Sequence, residues 1–86
     1  MQWQLEGDRP IYQQLVDQIM MQIVSGQRKA GDKVPAVREL AAEAGVNPNT
    51  MQRAMAELER DGLVYSQRTS GRFVTEDETM IQQAKR

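Results

Sequence analysis

The 86-residue sequence contains no cysteine and no histidine. Without cysteine there is no disulfide framework and no thiolate metal site, a composition that suits a reducing cytoplasm. Without histidine, the imidazole base, the imidazole nucleophile and the common zinc ligand sets are missing as well. An enzyme built on this chain would have to work with carboxylates, lysines and hydroxyls alone. Its densest carboxylate group is Glu76, Asp77 and Glu78, and acids so spaced are favoured in the first turn of a helix by the macrodipole, with no catalytic role needed. No catalytic, metal-binding or cofactor-binding residues are therefore assigned. Long hydrophobic runs are also absent: nothing approaches the roughly 20 residues of a membrane span. The opening "MQWQLEGDRP" has neither the basic patch nor the apolar stretch of a signal peptide. Excess positive charge is missing too, since the formal net charge is -1.

That average hides a segregation. From Arg28 to Arg38 four cations (Arg28, Lys29, Lys33, Arg38) stand against one acid, Asp32, and Arg68 with Arg72 forms a second basic group. The acids gather at Glu57, Glu59 and Asp61 and again at 76–78. A nearly neutral domain can still present a basic face.

What is present is periodic. A short edge strand is expected at Trp3 and Leu5 and a first helix from Pro10, with Ile11, Tyr12, Leu15, Val16, Ile19, Met20, Ile23 and Val24 on one face and Gly26 as its left-handed stop. "QRKAGDKVP" reads as a basic loop. A second helix is expected near Ala36, a poor cap that Glu39 could support by reaching back, with Val37, Leu40, Ala41 and Ala44 inward and Gly45 at its end. Asn47 and Pro48 are a strong cap and first residue for a third helix, whose core stripe is Met51, Ala54, Met55 and Leu58. Beyond Gly62, "LVYSQ" and "RFVTE" read as two strands around the turn "RTSG". Thr75 with Glu78 reads as a capping box for a further helix.

The fold class is therefore mainly α with a small β wing: three helices, a two-stranded hairpin and the start of a C-terminal helix. Within it, Ala41, Gly45 and Met51 have the spacing of a helix-turn-helix, with a small residue at the crossing, a glycine in the turn and an apolar wedge on the second helix. The third helix would then present Asn49, Thr50, Gln52 and Arg53 outward. Amide side chains can pair two-pronged with adenine, and threonine can touch a thymine methyl. The acids at its far end favour docking by the N-terminus.

The segment from "PIYQQL" through "VNPNTMQRA" to "SGRFV", residues 10–74, resembles the winged-helix DNA-binding domain of GntR-type transcription regulators, most like the YtrA-type branch. The resemblance implies a cytoplasmic, repressor-like regulator that binds a double-stranded palindromic operator as a homodimer. A separate C-terminal region in such families senses a ligand or mediates dimerisation, so residues 1–75 are expected to form the DNA-binding domain and 76–86 the start of that further region. The effector is left open. The resemblance also implies roles: Arg38 of the "P-x-x-R-E-L-A" segment contacts DNA, as do Asn47, Asn49, Thr50, Gln52 and Arg53. The wing tip, with Arg68, Thr69, Gly71 and Arg72, enters the minor groove. Ala36, Thr69 and Arg72 depart from the family's usual serine, glycine and threonine.

Each role has a plainer counterpart. Arg38 is a cation in a first turn, where the macrodipole disfavours it, so a phosphate or base is the better reason for its place. Arg53 has Glu57 four residues on and can pair with it instead. Thr50 and Asn47 can serve as caps, and Arg68 and Arg72 can keep an exposed hairpin soluble. Lys29 and Lys33 read as solvated loop charges, Met20, Met51, Met55 and Met80 as core fillers, and Trp3 as cover for the first helix. The alternative function is a winged-helix protein-interaction module without a nucleic-acid partner.

Overall fold

Leu15, Val16, Ile19 and Ile23 wind onto one side of helix α1 (Ile11–Val24), and that side is buried. The computed structural model describes residues 5–84, at Ala84 the backbone only. The remaining elements are β1 (Lys33–Val34), α2 (Val37–Ala44), α3 (Pro48–Arg60), β2 (Val64–Gln67), β3 (Gly71–Val74) and α4 (Glu78–Ala84). Helix α3 packs between α1 and α2, and α4 lies against α1. Leu15, Leu40, Met51, Met55, Leu58 and Val74 are fully enclosed where these elements meet. Burial of each such side chain stabilises the fold by about 1.5–3 kcal/mol before entropy is counted.

Several expectations need correction. Pro10 is the cap of α1 rather than its first residue: its ψ of 132° is extended and only its carbonyl joins the helix. Leu5 lies in no strand. The backbone after it is held by Gln14 instead, whose side-chain amide donates to the carbonyls of Glu6 (2.7 Å) and Arg9 (2.9 Å) and accepts from the Glu6 N–H. The reading of Trp3 lies outside the described residues. The tract "QRKAGDKVP" is not all loop, because β1 pairs antiparallel with β3 and the wing becomes a three-stranded sheet of order β1-β3-β2. Two residues, one exposed and one buried, are too short a run for alternation to show. Glu39 is exposed and makes no reach-back bond, leaving α2 without a side-chain cap. At α4 the capping carboxylate is Asp77, which accepts from the N–H groups of Thr79 (2.9 Å) and Met80 (3.4 Å). Thr75 is buried and its hydroxyl accepts from the Asp77 N–H.

Candidate nucleic-acid interface

The turn between α2 and α3 follows from its residues. Gly45 closes α2 in the left-handed conformation, φ 71°. The Val46 N–H reaches back to the Ala41 carbonyl (3.0 Å) and the Gly45 N–H to that of Ala42 (3.3 Å). This double bond pattern is the common left-handed helix ending. Val46 then packs on the core. Asn47 caps α3 by accepting from the Asn49 N–H at 2.7 Å, and Pro48 opens the helix.

With Met51, Ala54, Met55 and Leu58 buried, the periodicity of α3 leaves Asn49, Gln52 and Arg53 exposed and Thr50 half-buried. The pairing of Arg53 with Glu57 does not form. Glu57 instead meets Arg60 at 3.3 Å, and the Arg53 guanidinium lies over the ring of Tyr12 on α1, 3.8 Å from its centroid. Ile11, Tyr12, Asn49, Thr50 and Arg53 together border a notch of about 370 Å³ beside the N-terminus of α3.

The wing is tied to the opposite end of α3. Glu59 accepts a short hydrogen bond from Arg72 Nε on β3 and a second from the Ser66 hydroxyl on β2 at 2.7 Å. The two residues face each other across the sheet, in register. The Arg72 guanidinium first, and the Ser66 hydroxyl second, hold the Glu59 carboxyl below the usual carboxylate range. Arg72 is thus committed to Glu59. At the tip, Arg68 and Thr69 are exposed, and Gly71 starts β3 with φ 102°, a backbone that a side chain would strain. A Cβ there would also sit 3.4 Å from Lys33 Cε.

Exposed Arg38 in the first turn of α2, Lys33 on β1 and Arg68 in the wing make no ion pair among the described residues, whereas Arg9, Arg60 and Arg72 do. The reading of the sequence missed Tyr12, Gln14 and Glu59. By spacing, Tyr12 belongs to the apolar stripe of α1. Gln14 had a signal, since Gln14 and Gln22 are eight residues apart beside that stripe and both prove buried. Glu59 had none, because its partners lie beyond a turn.

A close α2-turn-α3 pair and a sheet clipped to the second helix of that pair define a winged helix-turn-helix domain. The comparisons with known proteins carry this to a family. The profile of the gntR family of bacterial regulatory proteins matches residues 11–74, and the chain belongs to that family. It is 43% identical over 68 residues to the transcriptional repressor YtrA of Bacillus subtilis, which covers 79% of this chain and 52% of YtrA. A GntR family transcriptional regulator from Listeria monocytogenes superposes with a TM-score of 0.91 at 46% identity, over 94% of this chain and 71% of the other. The AraR DNA-binding domain, solved in complex with operator ORX1, superposes with a TM-score of 0.78 at 29% identity, over 87% of this chain and 96% of the other. The chain is accordingly a DNA-binding transcriptional regulator of the GntR type.

Proposed function

We propose that α3 enters the major groove by its N-terminal half and that Asn49, Gln52 and Arg53 meet base edges there, with Thr50 beside them. One observation carries this reading. The exposed face of that half is free of acids, while Glu57 and Glu59 in the other half are occupied by Arg60 and by Arg72 with Ser66. Amides and a guanidinium on an acid-free stretch suit hydrogen-bonded base reading. That the AraR DNA-binding domain is solved on an operator supports duplex DNA as the partner of this face.

Arg38 contacts phosphate on the flank, and Asn47 is first a cap and only then a phosphate contact. Arg68 is the cation of the wing tip in the minor groove, with Thr69 and Gly71 giving the tip its shape. Arg72 serves by fixing the wing to α3. Residues 1–75 act as the DNA-binding unit and 76–86 lead toward a dimerisation region. A homodimer in the cytoplasm then spans two half-sites of a palindromic operator about 34–36 Å apart and represses transcription, as the name of YtrA says of that protein.

A salt titration of binding to duplex DNA tests the reading. Each phosphate neutralised by Arg38, Arg68 or their neighbours adds about -0.9 to the slope of log affinity against log salt. A steep slope is expected. Absence of binding to any duplex at low salt contradicts the reading.

A further inference from the structure

We propose that Tyr12 is a positioning residue for DNA recognition: its ring is a shelf that holds the Arg53 guanidinium ready to read a base. The inference rests on the docking proposed above and adds to it a residue outside the helix-turn-helix. Arg53 is exposed, and its helical neighbour Glu57 is taken by Arg60. Arg53 makes no ion pair among the described residues, and an exposed arginine so placed would sample many rotamers and lose that freedom on binding. Here the guanidinium carbon lies over an aromatic face, 3.8 Å from the ring centroid, a contact attractive to cations that uses none of the guanidinium's N–H donors. Those donors can give two bonds to a guanine.

The ring makes the shelf: Tyr12 is half-buried near the N-terminus of α1, and its hydroxyl meets only the exposed neighbour Gln13, whose Nε2 donates at 3.4 Å. Asn49 and Thr50 border the same notch as Tyr12 and Arg53, so the stack stands beside the other candidate reading residues. A lock between α1 and α3 alone would predict the same stack but no effect on base preference, and that difference makes the inference testable.

The experiment uses the whole chain and a duplex selected by it from random DNA. Affinities for that duplex and for its single-base variants are measured for Tyr12→Phe, Tyr12→Leu, Arg53→Ala and the Tyr12→Leu/Arg53→Ala double variant. Tyr12→Phe keeps the shelf and should bind like the unsubstituted chain. Tyr12→Leu should weaken binding about 2- to 5-fold, the range of an exposed cation–π contact, and flatten preference at the base pair that Arg53→Ala also flattens. In the Arg53→Ala background, Tyr12→Leu should change nothing further. Ring-current shifts of the Arg53 side-chain protons in the free protein report the stack without any substitution. Additive effects of the two substitutions, or unshifted Arg53 protons, overturn the proposal while leaving the docking intact. Failure of the unsubstituted chain to select any duplex overturns both.

Discussion

At the residue scale the interface depends on a few positions where backbone and side chain are each committed. Gly45 has φ 71° and nothing within 4 Å of where a Cβ would stand. The cost of Gly45→Ala is therefore purely conformational, about 1–2 kcal/mol. It should appear in urea unfolding as a lower midpoint at unchanged slope. Met55 is the opposite case, fully enclosed between helices. Met55→Ala should destabilise by about 2–5 kcal/mol, since the cavity collapses only in part. Arg38, exposed and without an ion pair among the described residues, belongs to the proposed docking and not to the core. Arg38→Ala should leave the melting temperature nearly unchanged and weaken binding evenly across sequences. It should also lower the magnitude of the salt slope by about 0.9 for each phosphate that is no longer neutralised.

At the scale of elements, the wing is oriented by Glu59, which joins α3 to both β2 and β3 through Ser66 and Arg72. Because the pairing lowers the Glu59 pKa in the folded protein, its contribution is present above the ordinary glutamate value of about 4.3 and fades as pH falls below that through the lowered folded value. Acid should thus loosen the wing before the helical core. Glu59→Gln keeps the shape and removes the charge. It should lower stability by about 1 kcal/mol and erase that part of the acid dependence, as read by unfolding at pH 3–7. An unchanged pH profile would mean the clip does not hold in solution.

The elements also show what could be read from residues alone. The helices were legible because Leu15, Ile19, Met51, Met55 and Leu58 repeat at the helical period and Gly45 and Asn47 punctuate them. Strand β1 was not, since two residues cannot display a period and its pairing depends on β3, some 40 positions later. The outward face of α3 followed from its inward face. The partners of Arg53 and Arg72 did not, because Tyr12 and Glu59 come from other elements and no local spacing relates them. Local reasoning offered Glu57 to Arg53, and the fold gave Glu57 to Arg60.

For the whole molecule, an overall charge of -1 conceals a division of labour. The acids of α3 are turned to internal pairing, whereas Arg38, Lys33 and Arg68 make no ion pair among the described residues. On the proposed docking, phosphate attraction falls to α2 and the wing, and base selectivity to the N-terminal half of α3. Among the described residues no helix is long and apolar enough to cross a membrane. The central claim is that the exposed amides and guanidinium at the start of α3 read bases. The most direct test is the affinity of the chain and of Gln52→Ala for a selected duplex and each of its single-base variants. The account predicts that Gln52→Ala loses about 1–3 kcal/mol of discrimination at one base pair and keeps it elsewhere. A discrimination profile identical to that of the unsubstituted chain would contradict it.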